Sequence, residues 1–490
     1  MRRIPLVGWL GRHRKLMFIS FILFMHVVGA LTSIRAILET RTSQGAIAWA
    51  VSLNAFPYLS VPAYWILGQS RFDNYDMMRH REFVAENETA QQLLKQVAEE
   101  GLLSQPKTSR DIQRARLLQS LAKQPFTNYN DADLLIDGEA TFEAIFEGIA
   151  SAKDYILIQF YIWRDDDLGQ RFKDALLAKA SEGVRVYALY DSLGSFELSN
   201  EYLEELRSGG VDIRGFSTTK GAGNRFRINM RNHRKIVLID GHTAYVGGSN
   251  IGDEYLGKHP VLTPWRDTHV AIRGPVVLGV QISFFEDWRW VAKTVPELNW
   301  TFEKAPTGDM AALCLPTGPA DDLETASLFF LDAINAAEER LWIVSPYFVP
   351  DEQLMSALQL AALRGVDVRI LIPENPDHQL VYLSSFSYLE EAEKSGVKLY
   401  RYLPGFLHQK VMLIDDRASA IGTCNFDNRS MRLNFEITMI VINEDFASEV
   451  EAMLEQDFAV SRRVVATEYT DRHWWFRFQV RAARLMAPIQ

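Results

Sequence analysis

The sequence predicts an α/β protein of two similar α/β/α sandwiches related by a pseudo-twofold axis, preceded by two membrane-spanning helices. Three observations predict it. A short phrase occurs twice with one H-x-K-x4-D spacing, around His233, Lys235 and Asp240 and again around His408, Lys410 and Asp415. Each copy follows the same strand, helix, strand pattern. Two long uncharged apolar runs open the chain.

Arg12, His13, Arg14 and Lys15 precede the first run, Leu16 to Ile34, whose 19 residues come close to the roughly 20 that cross a bilayer as a helix. The second, Gly45 to Leu67, contains Pro57 and Pro62, which membrane helices tolerate. It reads as a second span with a kink, with a re-entrant or interfacial segment as the alternative. Arg2, Arg3, Arg12, Arg14 and Lys15 before span one, and Arg71, Arg79 and Arg81 after span two, outnumber Arg35 and Arg41 between them. That bias puts both ends in the cytoplasm. A signal peptide cleaved near Val28-Gly29-Ala30 is the competing reading, and the second run with its basic sequel argues against it. Residues 1–71 are thus a membrane anchor with helices at about 16–34 and 45–67, and the polar, alanine- and glutamine-rich residues 72–128 a helical link.

In the body, Tyr155 to Tyr161 reads as a strand, followed by a helix through Phe172 to Ala180 and a strand from Val184 to Tyr190. The later half repeats this as Leu341 to Tyr347, a helix through Leu354 to Leu363, and Val366 to Ile372. Strand, helix and strand in that order imply right-handed crossovers and parallel neighbours. The halves run from 129 to 300 and from 301 to 490, with both repeated phrases meeting at their interface.

Each phrase reads as a strand. Residues two apart share a face of an extended segment, so His and Lys reach one ligand together. The I-V-L-I and V-M-L-I runs are apolar on both faces, as in a strand buried mid-sheet. Gly248-Ser249-Asn250 follows the first phrase and Gly422-Thr423-Cys424-Asn425 the second. This set suits phosphodiester exchange without a metal. A neutral imidazole attacks phosphorus, and a protonated one delivers a proton to the departing alcohol. Two lysines and two asparagine amides hold the non-bridging oxygens and stabilise the charge of the transition state.

Composition sets limits. A chain of 490 residues, 48% hydrophobic, holds two domain-sized cores. Cys314 and Cys424 are the only cysteines, which suggests a reducing compartment without a disulfide framework. Cys424 is a space filler in the second asparagine turn, an oxidation-sensitive position being the minor alternative. The net charge of -10 divides unevenly: residues 1–81 hold ten basic and three acidic residues, a net of +7, leaving -17 on the rest. Attraction to an anionic surface must therefore come from local basic segments.

The paired phrases, together with I-Q-F-Y-I-W-R-D-D-D-L-G (158–169), G-G-S-N-I-G-D-E-Y-L-G (247–257), W-R-D-T-H (265–269), S-P-Y-F-V-P-D-E (345–352), G-F-L-H-Q-K (405–410) and N-F-D-N-R-S-M-R-L-N-F-E-I (425–437), resemble the phospholipase D superfamily. Within it the chain is similar to the bacterial cardiolipin synthases. The resemblance implies the two-sandwich phospholipase D fold, with His233 as the nucleophile that forms a phosphohistidine and His408 as acid and later base. Lys235, Lys410, Asn250 and Asn425 would bind phosphate. An acidic residue some 25 to 35 positions downstream of each histidine is implied to fix its tautomer, and Asp267 and Glu436 stand at those distances. Asp240 and Asp415 complete the catalytic phrases, shaping the strand end rather than taking protons.

The implied activity moves a phosphatidyl group from one phosphatidylglycerol to another at the cytoplasmic face of the bacterial inner membrane, releasing glycerol. It needs no cofactor, nucleotide or metal, because the covalent intermediate preserves the phosphodiester energy. Other anionic phospholipids are further partners, and the sequence leaves the oligomeric state open. Alternatives are a hydrolytic phospholipase D that releases phosphatidic acid, a synthase that uses phosphatidylethanolamine as co-substrate, and a membrane-attached binding protein with a degenerate site. A nuclease fits the chemistry but not the membrane spans, so nucleic acid is not an expected partner.

Other features draw a functional reading. Arg225, Arg227, Arg231 and Arg234 flank the first phrase and could guide anionic headgroups, or form an ordinary solvated edge. Asp165, Asp166 and Asp167 look like a metal cluster but match a loop and helix cap. His242 and His378 read as surface or core residues. From Arg472 to Met486, arginines interleave with Trp474, Trp475, Phe478 and Leu485, which share one helical face. That pattern suits a helix at a lipid interface, or else a terminal helix packed on the core.

Overall fold

The computed structural model describes residues 6–68, 71–72, 75–76, 78, 95–106, 108–219 and 228–490. They divide into two units, Met1–Arg71 with Thr218–Met230, and Phe72–Ser217 with Arg231–Gln490.

In the first unit α1 (Leu6–Glu39) contains the one helix segment, among the described residues, that is long and apolar enough to span a bilayer: Arg14–Glu39, mean hydropathy 2.1. Its Phe18, Leu23, Phe24 and Leu31 are exposed. The second apolar run is not a single kinked helix. It forms α2 (Ser43–Ala55) and α3 (Pro57–Leu67), broken at Phe56. A residue before proline is pushed out of the helical region, and Pro57 itself suits a helix start, where no N–H is needed. Pro62 sits inside α3 without ending it. Gly29 brings α1 against α2, since a Cβ there would stand 2.2 Å from the Leu53 carbonyl oxygen. Such small-residue contacts are what membrane helices use to approach closely. The basic residues Arg79, Arg81, Arg225 and Arg227 lie outside the described residues, as does most of 73–94.

Among the described residues the second unit has 20 strands, 16 of them in one sheet and four in two separate pairs. The first half supplies β1 (Thr127–Ile136), β2 (Tyr155–Phe160), β3 (Arg185–Asp191), β4 (Asp212–Phe216), β5 (Arg231–Asn232), β6 (Ile236–Ile239), β7 (Thr243–Gly247), β8 (Trp265–Arg266) and β9 (Thr268–Arg273). From the second come β10 (Met310–Thr317), β11 (Arg340–Val344), β12 (Phe348–Val349), β13 (Asp367–Pro373), β14 (Lys398–Tyr402), β15 (Phe406–Leu407), β16 (Val411–Ile414), β17 (Ala418–Gly422), β18 (Phe426–Asp427), β19 (Asn434–Ile442) and β20 (Ser461–Val464). One half runs β4-β3-β2-β6-β7-β9-β1 and the other β14-β13-β11-β16-β17-β19-β10, with β20 added at its edge. The orders match strand for strand, as the repeat predicts. The predicted crossovers Asp167–Ser181 and Glu352–Leu363 are helices, and β2–β3 and β11–β13 pair in parallel.

Two features were not foreseen. β1 pairs antiparallel with β10, so the two sheets are joined edge to edge at the pseudo-twofold axis. And the helix Ser109–Ala122, in the predicted link, packs on the body, burying Leu118 and Ala122 with Leu313, Phe329 and Phe330 of the second half.

Candidate functional site

β6 and β16 are buried along their whole length, as their doubly apolar sequences require. Each is shorter than its phrase. His233 and Lys235, and likewise His408 and Lys410, lie in the extended lead-in before the strand. That lead-in is anchored on the opposite half. β5 pairs in parallel with β19, and His233 N donates to Phe435 O at 2.9 Å; β15 pairs in parallel with β8, and His408 N donates to Arg266 O at 2.7 Å.

The backbone exchange carries the side chains with it. Glu436 Oε2 stands 2.8 Å from His233 Nδ1, and Asp267 Oδ2 2.7 Å from His408 Nδ1. This reverses the assignment that the resemblance implies: each carboxylate serves the histidine of the other half, not the one upstream of it. The sheet order gives the reason. Within one half the acid's strand is separated from the histidine's by β7 or β17, about two strand spacings or roughly 10 Å, whereas the exchanged lead-in is its direct neighbour. Both carboxylates are themselves held. Thr423 Oγ1 donates to Glu436 at 2.5 Å and Asn434 Nδ2 at 3.1 Å, while Thr268 N donates to Asp267 at 2.8 Å. Gly248 is required beside Asp267, because a Cβ would lie 2.0 Å from its Oδ1.

Lys235 Nζ donates to His233 O at 2.7 Å, and Lys410 Nζ to His408 O. All four side chains are buried, and burial sets their protonation. It pushes His233 down to about 4 against the opposing pull of Glu436, with Lys235 and Lys410 lowering it further. His408 is likewise pushed to about 4 by burial and Lys410, with Asp267 opposing. Burial drops Lys235 to about 7 and Lys410 to about 8, each partly restored by the two carboxylates. Burial would raise Asp267 and Glu436, yet the histidine beside each holds it below its ordinary value. Both imidazoles are therefore neutral at neutral pH, with Nδ1–H given to a carboxylate and the Nε2 lone pair left for chemistry. Each lysine also acts on the other half's histidine, so the two phrases form one site.

Aromatic rings wall this site. Tyr161 lies 5.0 Å from His233, while Trp265, Phe406 and Tyr255 lie 5.3, 5.9 and 5.9 Å from His408, centroid to centroid. Asn250 and Asn425 are buried but unlike. The Asn250 amide is engaged, donating to Tyr255 Oη at 2.6 Å and accepting from Ile162 N at 3.0 Å, whereas Asn425 Oδ1 has no partner among the described residues.

Asp240 and Asp415 stand apart, at the far ends of β6 and β16. Asp240 accepts from the backbone N–H groups of Lys153, Asp154 and Tyr155, and Asp415 from those of Glu338, Glu339 and Arg340. Each thus fixes the start of the neighbouring strand, and each adopts φ 53°, which aspartate tolerates better than most residues.

Arg234 is not a headgroup guide. It is buried, donating to Asp287 Oδ2 at 2.9 Å and to Glu436 O at 3.1 Å, and so braces the strand that carries the acid. Asp166 caps the helix Asp167–Ser181 by accepting from Gly169 N at 3.0 Å, the cap role its sequence match implies. The thiol of Cys424 is buried and burial holds it well above its ordinary value, which suits a space filler rather than a reactive sulfur. Sequence reasoning missed the pair Tyr347 and Asp377, joined at 2.5 Å, whose carboxylate acts on Lys410. In the first half Asp191 stands in a similar relation, acting on Tyr161 and on Lys235.

Comparison with known proteins identifies the family. The family described as cardiolipin synthase, PLD-like domain, matches residues 145–259 and 330–458. The chain is 48% identical over 484 residues to cardiolipin synthase A of Pseudomonas fluorescens, covering 99% of this chain and 100% of that one. To cardiolipin synthase A of Pseudomonas aeruginosa it is 48% identical over 468 residues, 95% of this chain and 94% of the other. Among solved structures, phosphatidylserine synthase of Haemophilus influenzae superposes with a TM-score of 0.60 at 18% identity, covering 77% of this chain and 99% of that one, a likeness of fold.

Proposed function

The chain belongs to the cardiolipin synthase family of PLD-like proteins, and on that premise we propose a phosphatidyltransferase that joins two phosphatidylglycerols through a phosphohistidine. His233 Nε2 attacks phosphorus and the bond to glycerol breaks, while His408 Nε2–H gives glycerol its proton. The terminal hydroxyl of a second phosphatidylglycerol then attacks the phosphohistidine. His408 takes that proton, the P–N bond breaks, and cardiolipin leaves with His233 restored.

One observation carries this reading: two neutral imidazoles, each held at Nδ1 by a buried carboxylate and served by buried lysines. His408 takes up its proton from solvent as the substrate binds, because an anionic phosphate against the ring favours the cation. Lys235 and Lys410 hold the non-bridging oxygens, joined by the amides of Asn250 and Asn425. The aromatic wall favours a lipid alcohol over water as acceptor. The assignment of nucleophile to His233 rests on the resemblance of its motif.

In the membrane, α1 is the first pass and α2 with α3 the second, broken at Phe56. The excess of basic residues in the flanks supports an active site on the cytoplasmic side. The anchor takes residues 1–71, the link 72–128, and the two halves 129–300 and 301–490.

The test is full-length protein in vesicles of phosphatidylglycerol alone, with lipids and released alcohol followed by mass spectrometry. Cardiolipin with matching glycerol is expected, and none from His233→Ala. Phosphatidic acid instead of cardiolipin makes the protein a hydrolase, and normal turnover by His233→Ala refutes the mechanism. Product that appears only when phosphatidylethanolamine is added refutes phosphatidylglycerol as sole substrate.

A further inference from the structure

The C-terminal helix Trp474–Arg484 has two apolar sides. One packs inward: Val480 and Ala483 are buried, and Phe476 meets Phe386 edge-on at 5.3 Å. The other faces out. Trp474 is 60%, Trp475 50% and Phe478 55% exposed, and Leu485, just past the helix, 81%. With about 100° of turn per residue, Trp474, Phe478 and Leu485 fall on one stripe with Trp475 beside it. Arg477, Arg481 and Arg484 then lie on the flank between the outward and the buried side. Trp475 and Phe478 stack at 5.3 Å with 17° between their planes, and Trp474 meets Trp475 at 5.5 Å. The outward groups are a continuous plate, and a patch of that kind marks a binding surface rather than scattered surface residues.

Its place and charge say what covers it. The helix rests on Gln379–Ser385, which follows Asp377 and His378, next to Tyr347 at the rim of the site. From Arg472 to Gln490 there are four arginines and no acidic residue; Arg484 faces Glu391 at 3.8 Å, and Arg472, Arg477 and Arg481 are exposed. A symmetric contact with a second copy would set these arginines against themselves. An anionic bilayer meets both demands, since indole and phenyl rings favour its headgroup layer and arginines pair with its phosphates.

We propose that the helix Trp474–Arg484 is an interfacial anchor, its aromatic plate lying in the headgroup layer of an anionic membrane and holding the rim of the site against the lipid that the active site consumes. The lipid class rests on the proposed function; the docking surface does not.

The test uses the full chain reconstituted in phosphatidylglycerol vesicles, with Phe478→Cys carrying an environment-sensitive fluorophore; Cys314 and Cys424 are buried and stay unlabelled. Blue-shifted emission, quenched by nitroxide-bearing lipids and less so in phosphatidylcholine vesicles, is expected. Unquenched emission overturns the proposal, and so does a shift that grows with protein concentration, which would reveal a contact between copies. In the same vesicles, Trp474→Ser/Trp475→Ser/Phe478→Ser should lower turnover of bilayer lipid at least tenfold and leave dispersed short-chain phosphatidylglycerol within twofold. Equal losses on both substrates assign the plate a purely structural role. Should neither substrate turn over in the parent chain, the fluorescence still decides the anchor while the functional reading fails alone.

Discussion

Replacing Asp267 by Asn should disable His408 and spare His233, although Asp267 lies in the same half as His233. Asp267 Oδ2 is 2.7 Å from His408 Nδ1 and is fully buried. The carboxylate keeps the ring proton on Nδ1 and stabilises the imidazolium when His408 is protonated. A hydrogen bond to a charged group contributes about 1.5–3 kcal/mol, which at about 1.36 kcal/mol per decade corresponds to roughly 10- to 150-fold in rate. The amide adds a second fault. Its NH2 can donate to Nδ1, moving the ring proton to Nε2 and leaving no base there, a change that costs about 10⁴ in a serine protease triad. Turnover in vesicles should therefore fall by ~10²–10⁴. Selective ¹⁵N-histidine NMR of the ten-histidine chain should find the His408 tautomer altered and His233 unchanged, with Glu436→Gln giving the mirror image. Near-normal turnover, or a perturbed His233 beside an untouched His408, would refute the crossed pairing.

Protonation of the lysines gives a second prediction. With Lys235 near 7 and Lys410 near 8, both lose charge as pH rises through that window, so affinity for a phosphodiester analogue that is not turned over should weaken there. Lys235→Arg, which keeps its charge, should move the loss to higher pH; affinity constant from pH 6 to pH 9 would contradict this. Asp240→Asn and Asp415→Asn should each lower stability by about 1–2 kcal/mol through a weakened backbone acceptor, measured by denaturant unfolding, while the specific activity of the folded protein stays within twofold. A loss of orders of magnitude in activity would return these aspartates to the chemistry.

Much of this architecture was legible because it is written twice. The apolar runs at 236–239 and 411–414 could only be central strands, and the matching strand, helix, strand series fixed their neighbours. The crossing of the carboxylates was not legible. Spacing along the chain favours the wrong partner, since Asp267 lies 141 positions from the His408 it serves and Glu436 203 from His233, and the strands that decide the pairing, Arg231–Asn232 and Phe406–Leu407, are two residues long and carry no periodicity. Arg234 misled for another reason. Nothing near an arginine announces burial when its partner, Asp287, lies 53 positions away. The anchor was half legible: apolar length marked the run, but the break at Phe56 depends on a single proline.

The crossing also decides what can be removed from this protein. A polypeptide ending near residue 300 would keep His233 and lose the Glu436 that orients it, and the complementary fragment would keep His408 without Asp267. Neither is a smaller version of the whole. Two damaged alleles, one altered at His233 and the other at His408, cannot mend each other by being present in the same cell, since each chain still closes one faulty centre on itself. Repair would require the chains to trade halves. A repeat that reads as two interchangeable copies in the gene is inherited as a single indivisible unit.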